Sequence, residues 1–147
     1  MAMAPNAAIL LDTGPLVAYL DRDEIHHAWA TQNADMLPLP FLTCDAVISE
    51  ACFLLQKRRL SLRPLFELLA ARALISTFDL AGNHAAIAAL IHKYAALPMS
   101  FADACLVRLA EKHADSRVLT LDGHFQIYRI HGRRAIPLII PSGDDPR

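Results

Sequence analysis

Residues 8–15 read AILLDTGP. Three large aliphatics run into Asp12, and Thr13, Gly14 and Pro15 end the run. A short apolar run bounded by turn residues is of buried-strand length. An acid at its end has two readings. Asp before a turn can bond nearby backbone amides. In an open parallel sheet, however, ligands bind outside the carboxyl ends of the strands, so an acid there is aimed at a site.

Working outward, strands and helices alternate. Strands are predicted at Ala8–Leu11, Phe41–Cys44, Leu74–Phe78, Val118–Leu121 and Ala135–Ile140. Helices are predicted at Gly14–Leu20, Glu24–Ala34, Ala46–Leu60, Pro64–Ala73, Ala81–Ala96 and Ser100–His113. Pro64 suits a first helical turn. This alternation predicts an α/β fold, a three-layer α/β/α sandwich around a mostly parallel five-stranded sheet. The 147 residues are expected to form one domain over 1–141, followed by a solvated tail at 142–147.

Hydrophobic residues make up 54% of the chain and charged residues 20%, which supports a sizeable core and excludes disorder. No apolar run approaches the roughly 20 residues of a membrane span. The opening MAMAPNAAILLDTG lacks a basic n-region, so no signal peptide is expected. Cys44, Cys52 and Cys105 lie in apolar segments and read as small core residues of a reducing compartment, which predicts a cytoplasmic protein. With 15 acids against 14 bases there is no global field to attract nucleic acid. An anionic partner has to be held by local basic patches or by a bound cation.

Asp122 repeats the opening pattern in RVLTLDGHF, a short apolar strand ending in an acid. The competing reading is an Asp-Gly hairpin turn, which the alternation in FQIYRI permits. Glu50 lies three residues after Val47 and four before Leu54, within a stripe of Val47, Ala51, Leu54 and Leu55. It is expected to face inward, where a charge needs a cation, a basic partner or a shared proton; a rim position reaching water is the alternative. Asp103 closes a capping-box spacing that begins at Ser100, and it also heads the stripe of Leu106, Val107 and Ala110. Asp45 and Asp79 read as caps or first-turn acids of the following helices.

In a parallel sheet, strand C-termini and the starts of the following helices share one edge. Asp12, Glu50, Asp103 and Asp122 are therefore expected to converge there. Such a cluster is tolerable around hard cations, and all-oxygen ligands suit Mg²⁺ or Mn²⁺.

At these residues the chain resembles a PIN-domain nuclease, most closely the VapC-type toxins of toxin–antitoxin pairs. The matching stretches are LLDTGPLVAYLD, TCDAVISEACFLL, MSFADACLVRLAEKH and VLTLDGHF. The resemblance implies that Asp12, Glu50, Asp103 and Asp122 form an acidic quartet, with Thr13 and Thr120 at small hydroxyl positions beside it. It also implies Mg²⁺- or Mn²⁺-dependent hydrolysis of RNA phosphodiesters, a homodimer and, in the cell, an antitoxin partner whose basic residue enters the acidic site. Three of the acids, Asp12, Asp103 and Asp122, would hold metal; Glu50 would hold a second metal or position a water. His26-His27 resembles a stretch of such toxins, and also reads as a surface helix.

Two basic clusters are candidates to grip RNA: Lys57, Arg58, Arg59 and Arg63, and Arg133 with Arg134. Each also reads as a helix end or a solvated turn. Helices such as Phe66–Ala73 and Ala85–Ile91 carry little charge, which favours association into a homodimer. Among rivals, a haloacid-dehalogenase-type phosphatase needs a second acid where Gly14 stands, and a dinucleotide or P-loop site needs a glycine-rich loop that the chain lacks. A non-catalytic PIN-like binding module would be marked by a broken quartet. A housekeeping RNA-processing nuclease would share the same quartet.

Overall fold

The computed structural model describes residues 7–142. In chain order its elements are β1 (Ile9–Leu11), α1 (Thr13–Leu20), α2 (His27–Met36), β2 (Phe41–Thr43), α3 (Asp45–Lys57), α4 (Arg63–Ala70), β3 (Leu74–Ser76), α5 (His84–Lys93), α6 (Phe101–Lys112), β4 (Arg117–Leu119), a 3-10 turn (Gly123–Gln126), β5 (Arg129–Ile130), β6 (Arg134–Ala135) and β7 (Leu138–Ile139). All but Ser142 of the expected tail at 142–147 lies outside the described residues.

The sheet is parallel throughout, with five strands in the order β3-β2-β1-β4-β7. β1 is central, and all three of its residues are buried, as a strand covered on both faces requires. The connection from β3 to β4 crosses to the other side of β1, which is the switch point of a doubly wound sheet. Helices α1, α2 and α4 border one face, where Leu16, Tyr19, Ala30, Leu39 and Leu68 line a cavity of about 250 Å³ over Leu11 and Leu74. On the other face α6 packs against β1 and β4 and carries α5. Helix α3 touches both α1 and α6. The result is the α/β sandwich that the strand–helix alternation predicts.

Local chemistry explains the helix ends. Asp12 is the N-cap of α1 and accepts from the Thr13 amide. Ser100 caps α6 and accepts from the Asp103 amide. Helix α3 ends with Arg59 in the left-handed region (φ 59°), while the Leu60 amide reaches back to the Leu55 carbonyl. Its neighbour Arg58 donates from Nε to Asp21 Oδ2 at 3.1 Å, pinning the end of α3 to the end of α1. His27 sits 2.7 Å from the Ala18 carbonyl through Nδ1, so one of the paired histidines closes the last turn of α1.

Three expectations are corrected. The run Ala135–Ile140 is not one strand. Ala135 pairs with Arg129 in an antiparallel ribbon, and only Leu138–Ile139 joins the sheet. Pro137 between them has no N–H to continue a ladder. No hairpin starts at Asp122-Gly123. Instead Asp122 accepts from the His124 amide and opens the 3-10 turn; the hairpin turns later, at His131 and Gly132, with φ of 51° and 79°. Helix α5 is shorter than Ala81–Ala96 at both ends.

Candidate active site

The carboxyl edge of β1 and β4 carries the acids. Asp12 follows β1 and starts α1. Asp122 lies just beyond β4, one residue before the 3-10 turn. Glu50 projects from the second turn of α3, and Asp103 from the first turn of α6. All four line one cleft of about 480 Å³, with Thr13, Gly14, Leu54, Pro98, Ser100, Leu121 and His124. Gly14 lets α1 approach β4, since a Cβ there would stand 3.2 Å from the Leu121 side chain. The two strand ends that bear Asp12 and Asp122 therefore lie close together.

Hydroxyl groups set these acids in place. Thr120, fully buried, donates to Asp12 Oδ2 at 2.7 Å and accepts from the Asp122 amide at 2.9 Å, joining two acids through one oxygen. The Thr13 hydroxyl donates to Glu50 Oε2 at 2.9 Å. Tyr128, also fully buried, donates to Asp103 Oδ2 at 2.9 Å. His124 Nδ1 lies 3.4 Å from Asp122 Oδ1.

Electrostatically the site is under-compensated. Burial pushes the Asp12 carboxyl up to about 7, against the bonds from Thr120 and the Thr13 amide, which favour its charge; Asp103 and Asp122 add repulsion. Burial likewise raises Asp103, and the charge of Asp122 adds to it, opposed by Tyr128 and Ser100. Among the described residues no Lys or Arg pairs with Asp12, Glu50, Asp103 or Asp122. No three Asp, Glu, His or Cys side chains of the described residues stand close enough to share one ion. The donor set is nonetheless all oxygen and anionic, which fits a hard divalent cation. Asp12, Asp103 and Asp122 are its carboxylates nearest the strand ends and helix starts, and Glu50 is the fourth acid of the cleft.

The placement of Glu50 differs from the expectation. Val47, Ala51 and Leu55 are the buried stripe of α3, while Leu54 is 39% exposed and Glu50 is exposed beside it. Glu50 is thus a rim acid, brought to the cleft by Thr13 and not by core burial. Asp45 and Asp79 stay outside the cleft. Asp45 accepts from the Ser76 hydroxyl and ties α3 to β3.

Sequence reasoning missed Tyr128. The signal was present: Phe125 and Tyr128 are three residues apart after a strand-end acid, a helical spacing inside a stretch read as alternating. Both are fully buried, and their rings meet edge to face at 5.2 Å.

The basic candidates lie elsewhere. Helices α1 and α3 both start at the acidic edge, and Arg58 joins their far ends, roughly 12 Å along α1 at 1.5 Å per residue. Arg133 ends the β5–β6 turn and Arg134 opens β6.

Comparison with curated proteins yields no match to the chain. The PIN domain model matches residues 9–130, from β1 to the end of β5 and across all four acids. The chain belongs to the PIN domain family, whose fold is a nuclease fold.

Proposed function

We propose that the protein is a divalent-metal-dependent endoribonuclease that hydrolyses RNA phosphodiester bonds, and that it serves as the toxin of a type II toxin–antitoxin pair. The observation that carries the nuclease reading is the convergence of Asp12, Glu50, Asp103 and Asp122 on one cleft at the switch point of the sheet. A bound Mg²⁺ or Mn²⁺ supplies charge neutralisation at the scissile phosphate and acidifies a water. The chain's own residues do the rest. Thr120 and the Thr13 amide orient Asp12, Tyr128 orients Asp103, and Asp122 is fixed through its backbone by Thr120. Glu50, exposed at the rim, would hold a second cation or orient a water, and Thr13 donates to its carboxylate. No histidine is needed as a base.

The toxin assignment rests on the resemblance of the four motifs. It is supported by apolar surface beside the acids: Leu54 lines the cleft, and Phe53, its neighbour on α3, is 64% exposed. A partner protein, a second copy or an antitoxin carrying a basic residue for the acids, would cover that surface.

Purified protein is expected to cleave single-stranded or looped RNA with millimolar Mg²⁺ or Mn²⁺ and to stop when chelator is added. Asp12→Asn serves as the inactive control. Cleavage that survives exhaustive chelation, or that Asp12→Asn retains, would overturn the metal mechanism.

A further inference from the structure

Tyr128 has a chemistry that its packing alone does not require. Its ring is clamped edge to face between Tyr94, at 5.1 Å, and Phe125, at 5.2 Å. Either neighbour would pack as well against a phenylalanine. Yet the residue carries a hydroxyl, in a place with no exposure, and a buried hydroxyl is costly unless bonded. The bond it makes goes to Asp103 Oδ2 at 2.9 Å. The phenol is the donor of this bond and the carboxylate its acceptor. Asp103 enters the cleft from α6.

The chain path strengthens this. Asp122 opens the 3-10 turn, and the Tyr128 amide closes back on the His124 carbonyl. Phe125 of the same turn is the floor on which the Tyr128 ring rests. One seven-residue segment, Asp122–Tyr128, thus bears one acid and orients another on a different helix.

We infer that Tyr128 is a positioning residue: by holding Asp103 Oδ2 in a fixed direction it turns the second oxygen toward the cleft and preorganises the acids for a divalent cation. This rests on the metal-site reading above. Partners that orient ligands in this way typically contribute ~10–100-fold in metal affinity when removed.

The test is Mn²⁺ binding to the purified full chain, read by isothermal titration and by the rise in melting temperature. The proteins are wild type, Tyr128→Phe and Tyr94→Phe. Tyr94 is the control, because its hydroxyl is also bonded in the same aromatic cluster but to the Arg129 amide, not to an acid. Tyr128→Phe is expected to need ~10-fold more Mn²⁺ for half-saturation. Its RNA cleavage is expected to lose kcat at low Mn²⁺ with KM for RNA unchanged, and to recover as Mn²⁺ is raised. Tyr94→Phe should keep the wild-type midpoint. An unchanged midpoint in Tyr128→Phe, or an equal rise in both variants, would overturn the positioning role while leaving the metal site standing. A wild type indifferent to Mn²⁺ would overturn both. Should Tyr128→Phe fold poorly, Phe125→Leu keeps the hydroxyl but loosens the ring; a smaller rise in midpoint is expected there, and no rise would overturn the inference.

Discussion

Asp12 shows how one residue serves both readings of its sequence. It caps α1 by accepting from the Thr13 amide, as a turn-forming Asp does, and it is also the most buried of the four acids. Capping alone would leave a comfortable carboxylate. Burial instead raises its pKa from the ordinary 3.8 to about 7. The sign of the consequence is fixed. Between those values the folded protein binds the proton more tightly than the unfolded chain, so ionisation of Asp12 costs stability as pH rises from about 4 to about 7. The metal-free protein is therefore expected to lose on the order of a few kcal/mol across that window from this group. Asp12→Asn should flatten the dependence and leave stability in chelator unchanged or raised at pH 7.5. It should also abolish cleavage and blunt the Mn²⁺-induced rise in melting temperature seen with the wild type. Melting curves at pH 5 and pH 7.5, with chelator and with millimolar Mn²⁺, check all of this. A variant destabilised in chelator by about 1 kcal/mol, with a wild type unmoved by metal, is the outcome expected of a mere helix cap.

At the scale of elements, the basic run 57–59 is a device for ending a helix. Arg58 spans the ends of α1 and α3, and its partner Asp21 is almost fully buried and also accepts from the Asp23 amide. Half of the Arg58 side chain is exposed, so solvent screens the pair. Arg58→Ala is expected to cost about 1 kcal/mol in urea titration. Arg59 occupies a left-handed conformation that glycine adopts freely, so Arg59→Gly should raise stability by up to about 1 kcal/mol. Neither should change cleavage by more than about twofold at saturating RNA, since both lie at the far end from the acids; a large rise in KM for both would restore the cluster as an RNA grip. The same elements show what the sequence makes legible. Periodicity places every helix and the strands β1 to β4, because burial of one face is a local pattern. It fails where partners decide. The two-residue strand β7 takes its identity from Leu119, twenty residues away along the chain, and β6 from its antiparallel partner β5 across a short turn. The exposure of Glu50 depends on how far α3 rotates against α1, which spacing within α3 does not contain. The convergence of the four acids was legible because a parallel sheet puts strand ends and helix starts on one edge; the hydroxyls that orient them were legible at Thr13 and Thr120, which adjoin the acids, and not at Tyr128, which reaches Asp103 only through the fold.

Among the described residues several large apolar side chains are exposed, and two of them stand beside the acids. Phe53 and Leu54 are exposed on α3, directly beside Glu50 and the cleft. A surface aromatic isolated among charges is ordinary, but an aromatic next to an aliphatic at the rim of an acidic cleft is the composition of an interface core with a polar edge. A homodimer formed across α3 would bury both and leave the acids of each copy flanking the contact. Sedimentation at about ten micromolar is expected to give a dimer. Phe53→Glu introduces a charge where an anchor is expected, and loss of such an anchor is worth about 2 kcal/mol or more, or roughly 30-fold in dissociation constant. The variant should sediment as a monomer while keeping its far-UV spectrum and its Mn²⁺ response, because Phe53 lies outside the acid cleft. Phe66→Glu changes another exposed aromatic, on α4, and separates the two faces: it should leave the dimer intact. A wild type that stays monomeric removes the α3 dimer altogether, and dissociation by Phe66→Glu alone moves the interface to α4.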